Sequence, residues 1–177
     1  MKFIQFKFAA EKAKEAIIWM LSEHPGIDLH ALLKACYFAD KSHLNKYGRP
    51  VFGATYQAMR FGPVPIQIYE MAKGEAYWLA ELGLDDFPWA LKGYHLDVSK
   101  NAKPNLDLLS ETDLAEIQEG LKKSVGMTFN SRTSATHGSD WQSANLGTMR
   151  YEDMVEDGAN REQVVAYLKE AAPHIRL

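Results

Sequence analysis

Apolar residues recur at intervals of three and four near the start of the chain. Ala9, Ala13, Ala16, Ile17 and Met20 fall on one face, which predicts an amphipathic helix from about Phe8 to Glu23. Pro25-Gly26 ends it. Asp28 then suits an N-cap, since its carboxylate can accept from the free amides of a first helical turn. The helix it opens carries Leu29, Leu32, Leu33, Cys36, Tyr37, Leu44 and Tyr47 along one side. Gly48 stands where a left-handed cap costs no Cβ strain, and Pro50 prevents continuation. An extended segment from about Ala54 to Phe61 follows, bounded by Gly53 and Gly62. Gly62-Pro63-Val64-Pro65 reads as a rigid strand-to-helix corner, because each proline pushes the residue before it away from helical geometry. Pro65 suits the first turn of the next helix. Ile66, Tyr69 and Ala72 continue that helix to Gly74.

The second half is less periodic. Glu75 to Lys92 holds Tyr77, Trp78, Phe87 and Trp89 with little regularity and reads as loop-like. Tyr94, Leu96 and Val98 alternate with His95 and Asp97, a half-buried strand, with Leu106 and Leu108 as its expected partner strand. Ser110-Glu111-Thr112-Asp113 is a near capping box flanked by Leu109 and Leu114 at the staple positions. The helix it opens carries Leu114, Ile117 and Leu121 and ends before Gly126. Thr128 to Ala144 is polar, with Phe129, His137 and Trp141 as its large groups. A last helix runs from about Arg161 to Ala172, with Asn160 as cap and Pro173 as stop. No repeat, linker or low-complexity tract interrupts the pattern. The expectation is one compact domain over residues 1–177, mainly α with a small antiparallel β-sheet and about six to seven helices.

Composition narrows the function classes. The 177 residues are 46% hydrophobic and 24% charged, a globular balance rather than a disordered one. A formal net charge of -3 gives no bulk attraction for phosphate backbones and disfavours nucleic acid as partner. The single cysteine, Cys36, excludes an intramolecular disulfide and a thiolate metal cluster, which fits a cytoplasmic protein. No apolar run approaches a membrane span, and the N-terminus does not read as a signal peptide.

Two residues could carry chemistry. Asp40 and His43 lie three apart on the apolar stripe of the second helix and could touch. One reading is an acid–base or metal site of a small hydrolase or metal enzyme. The other is a buried pair that ties the helix to the Gly-Arg-Pro turn. No third ligand stands at zinc spacing, so no metal or cofactor is expected. Cys36 reads as packing, being mid-helix on the apolar face. Arg49 either holds a helix end or a carboxylate, or faces a partner. His137 and Trp141 read as a packed pair. Tyr77, Trp78, Phe87 and Trp89 are either core or interface anchors. The acidic run from Glu152 to Asp157 reads as a solvated face.

The run from Leu32 to Lys73 has a further property. Tyr37-Phe38-Ala39-Asp40, His43-Leu44, Tyr47-Gly48-Arg49-Pro50, Gly53, Tyr56, Ala58-Met59, Gly62-Pro63-Val64-Pro65 and Tyr69 together resemble the signature of the SocA-like antitoxin family, the Panacea domain. His137 and Trp141 resemble the family's later Thr-His…Trp element. The resemblance implies a bacterial or phage antitoxin that neutralises a cognate protein toxin encoded beside it, by direct binding and without catalysis. One branch of the family presents its toxin to a cellular protease, so an adaptor role is the alternative that the resemblance brings.

Overall fold

The computed structural model describes residues 2–177. Its centre is helix α2 (Leu29–Tyr47), whose residues from Ala31 to Asp40 are all buried. A helix apolar on one stripe buries one face; α2 is covered on several sides, so even Lys34, Asp40 and His43 lie inside. Asp28 caps it by accepting from the Ala31 amide at 2.8 Å. Gly48 ends it in the left-handed region at φ 74°. Helix α1 (Ala10–Glu23) lies before it, and Ala13, Ala16, Ile17 and Met20 enter the core as their spacing predicts.

After Gly48 the chain forms a hairpin of β1 (Tyr56–Met59) and β2 (Gly62–Pro65), with Tyr56 opposite Pro65 and Met59 opposite Gly62. The Gly-Pro-Val-Pro stretch is therefore itself a strand, and Pro65 is the N-cap of α3 (Ile66–Lys73) rather than its first residue. The prolines are tolerated because the outer edge of β2 faces α2, not another strand. The free edge of β1 is taken by a later segment: Ala58 donates to the Gly147 carbonyl at 2.9 Å and Met149 to that of Tyr56 at 2.8 Å.

The aromatic stretch is not a loop. It folds as α4 (Ala76–Leu82) and strand β3 (Trp89–Lys92). β3 pairs with β4 (His95–Val98), and β4 borders the α1–α2 turn through Leu96 N to Ile27 O at 2.9 Å. This corrects the expected pairing with Leu106 and Leu108. Those leucines form a 3-10 turn over Leu106–Leu108 and are both exposed, so their alternation marks no strand.

Ser110 caps α5 (Glu111–Val125) through the full reciprocal box, with Asp113 in the usual glutamate position. α5 packs along α2, and Gly120 is the contact point. A Cβ there would stand 2.6 Å from the Ala35 carbonyl oxygen, so the two backbones meet directly. Ser124 Oγ donates to the Ala31 carbonyl at 2.6 Å. The polar stretch that follows forms α6 (Phe129–Thr136) and α7 (Ser139–Ala144), and then come α8 (Tyr151–Met154) and α9 (Arg161–Ala171). Asn160 precedes α9 without a side-chain cap bond. The class is mainly α as expected. Nine α-helices occur among the described residues, because the aperiodic and polar stretches hold short helices, and the β part is two hairpins rather than one sheet.

Candidate functional site

Asp40 and His43 are both fully buried, but they do not pair with each other. Each bonds forward to the turn that follows α2. Asp40 Oδ1 accepts from the Phe52 amide at 2.7 Å, and Oδ2 from the Tyr56 hydroxyl at 2.8 Å. Burial pushes its carboxyl up to about 7, against the pull of those donors. His43 donates from Nδ1 to the Arg49 carbonyl at 2.7 Å, which leaves Nε2 to accept from the Thr112 hydroxyl at 2.9 Å. Burial holds this imidazole below its usual range, so it is neutral at pH 7. The correction has a simple cause. Side chains at i and i+3 share a face, but the returning chain offers Asp40 two donors and His43 a carbonyl acceptor, and these take the place of a mutual bond.

A second carboxylate completes this region. Asp113, 1% exposed, takes Lys12 Nζ at 2.8 Å, Arg49 Nη1 at 2.9 Å and the Ser110 amide at 3.0 Å. Burial alone would raise it; Lys12, the Ser110 amide and Arg49 together hold it below the usual carboxylate range. Arg49 also donates to its neighbour's carbonyl, Pro50 O, at 3.1 Å. Arg49 thus grips a carboxylate and faces inward. Tyr47 half-covers the site, its ring centroid 4.6 Å from that of His43, and Pro50 is buried. Lys12 and Asp113 were not legible as site residues. Asp113 reads from sequence as a capping residue alone, and nothing local links it to Lys12.

A similar knot holds the other end of the signature. Asp140, fully buried, accepts from the Tyr37 hydroxyl at 2.5 Å and from Lys41 Nζ at 3.1 Å. His137 and Trp141 stack with centroids 3.7 Å apart, and Trp141 Nε1 donates to the Met59 carbonyl at 2.8 Å. They sit on different short elements, His137 capping α6 and Trp141 within α7. Cys36 is buried and its thiol is raised well above its ordinary range by that burial. Glu152, expected on a solvated face, is instead buried and accepts from the Ile4 amide at 2.9 Å. Among the described residues no three His, Cys, Asp or Glu side chains are grouped to hold a metal ion. Among the described residues, no helix is long and apolar enough to cross a membrane.

These knots join α2, the turn at Arg49 to Gly53, the β1–β2 hairpin and the Trp141 region. The family model for antitoxin SocA-like, Panacea domain, matches residues 32–142, well over half of the chain. The chain belongs to the SocA-like antitoxin family. No curated protein and no solved structure matches it. Within the SocA-like domain, Gly53 and Gly62 explain themselves sterically. Both have positive φ, and a Cβ on either would meet a neighbour at 2.5 Å, Leu177 at Gly53 and Thr136 at Gly62. Pro63 and Pro65 are buried in β2, and Tyr69 lies half-buried on α3.

The SocA-like fold redistributes the aromatics expected to face a partner. Trp78, Phe87 and Trp89 are core residues. Trp78 Nε1 donates to Glu70 at 2.8 Å and Trp89 Nε1 to the Met71 carbonyl at 3.1 Å, while Phe87 packs on Trp89 at 5.2 Å. Only Tyr77, 63% exposed, remains on the surface. Exposed aromatics gather elsewhere, at the β1–β2 tip. Phe61 and Phe129 are 46% and 42% exposed, with ring centroids 5.2 Å apart. Neither reads from sequence as a partner contact, since Phe61 ends a strand without clear alternation and Phe129 is one large group in a polar stretch.

Proposed function

We propose that this SocA-like antitoxin neutralises a protein toxin encoded beside it by direct contact, as a binding protein rather than an enzyme. The observation that carries the reading is the family match over residues 32–142. The chemistry of the signature supports it. Asp40, His43 and Arg49 spend their hydrogen bonds on their own chain, as scaffold residues do. A buried, saturated polar network fixes one packing and leaves partner choice to the surface. The test is growth. The adjacent reading frame expressed alone should arrest cells, and co-expression of this chain should restore them. A harmless neighbour, or one whose toxicity this chain leaves unchanged, would remove the reading.

A further inference from the structure

The tip of the β1–β2 hairpin is apolar at its surface and bordered by basic side chains. Phe61 and Phe129 lie side by side in solvent, and His30 backs Phe129 with centroids 4.1 Å apart. The Arg60 guanidinium stands over the Phe61 ring at 5.2 Å. Directly behind the tip, Lys34 Nζ donates to the Pro63 carbonyl at 2.8 Å, and His30 Nε2 to that of Phe61 at 3.1 Å. Lys34 is 1% exposed, and no carboxylate lies within salt-bridge distance of it among the described residues. Arg132, also buried, reaches a single carboxylate, Asp28, at a long 3.5 Å, and its Nε has no partner. Asp28 already serves as the α2 cap. Among the described residues, Asp28 pairs with Arg132 alone, and no carboxylate pairs with Arg60 or Lys34.

Exposed aromatics beside an unpaired guanidinium select their partner. An apolar side chain would cover the rings, and a carboxylate beside it would meet the exposed Arg60, with the Arg132 guanidinium behind the tip. We propose that the tip formed by Arg60, Phe61 and Phe129 is the toxin-docking surface of this antitoxin, and that the toxin seats on it an apolar side chain flanked by a carboxylate. This rests on the reading of the chain as an antitoxin that binds its toxin. The rings are rigid, adjacent and already half-desolvated, as interface anchors are. The hairpin that carries Arg60 and Phe61 is pinned from behind by Lys34 and His30 and from the side by Trp141, and Phe129 stands on α6, so binding costs little ordering.

The experiment uses the full chain and, as probe, the purified product of the adjacent reading frame, with affinity measured by calorimetry. Wild type should bind. Phe61→Ala and Phe129→Ala should each weaken binding about thirtyfold, the loss typical of an aromatic anchor. Arg60→Glu should weaken it more at low salt than at high salt, because the exposed charge is screened. Tyr94→Ala, 79% exposed on the other hairpin, should bind as wild type does. All four positions are exposed, so unchanged melting temperatures are expected and are checked. If wild type binds and the three tip variants bind equally well, the docking surface is wrong while the antitoxin reading stands. If wild type does not bind, the antitoxin reading falls and this surface with it. A chain that is dimeric alone, and made monomeric by Phe61→Ala, would show the tip to be a contact between two copies and would also overturn the proposal.

Discussion

At Asp113 one carboxylate holds two cations, and among the described residues neither forms an ion pair with another carboxylate. Removing it would leave Lys12 buried and unpaired, so Asp113→Ala should cost about 3–5 kcal/mol, read as a loss of denaturation midpoint. Asp40 is different. Its oxygens answer an amide and a hydroxyl, so Asp40→Ala should cost about 1–3 kcal/mol by stranding two buried donors. Lys34 sets a pH dependence. Burial, then the nearby Arg132, draws its ammonium from 10.5 down to about 7 in the folded chain. Between those values the unfolded chain binds more protons, so this group's penalty is full below pH 7 and fades as pH rises toward 10.5. Lys34→Met should therefore stabilise the protein most at pH 6, with the advantage shrinking by pH 9. An advantage that grows with pH would show that the ammonium is compensated in the fold.

Elements were legible where their signals are local. The Asp28 cap, the left-handed Gly48 and the Ser110–Asp113 box each involve residues within a turn of one another, and each is found as read. Gly48→Val should cost about 1–3 kcal/mol from backbone strain alone, because nothing stands within 4 Å of the Cβ it would add. Gly120→Ala tests the opposite case. Its backbone is ordinary helix, but the new methyl would press on the Ala35 carbonyl and part α2 from α5, at a cost of about 1–3 kcal/mol. Melting curves of the two variants should thus agree in direction for different reasons. Where partners are far apart in sequence, local reading failed. Leu106 and Leu108 alternate like a strand, yet Trp89–Lys92 takes the place beside β4. Tyr37 and Asp140, 103 residues apart, carry no mutual signal at all.

For the whole molecule, the signature block was legible because its glycines and prolines fix a path that few sequences need. The functional reading rests on resemblance and not on chemistry, since Asp40, His43 and Arg49 turn inward. The surface was the least legible part. Burial decides whether an aromatic is an anchor or a core residue, and burial is set by packing from across the chain; this moved Trp78, Phe87 and Trp89 inside and left Phe61 and Phe129 out. The central claim is neutralisation by contact, and it is tested most directly by quantifying the toxin in rescued cells. The account predicts that toxin persists undiminished and co-purifies with this chain in a fixed ratio. Rescue accompanied by loss of the toxin, with no complex to recover, would contradict it.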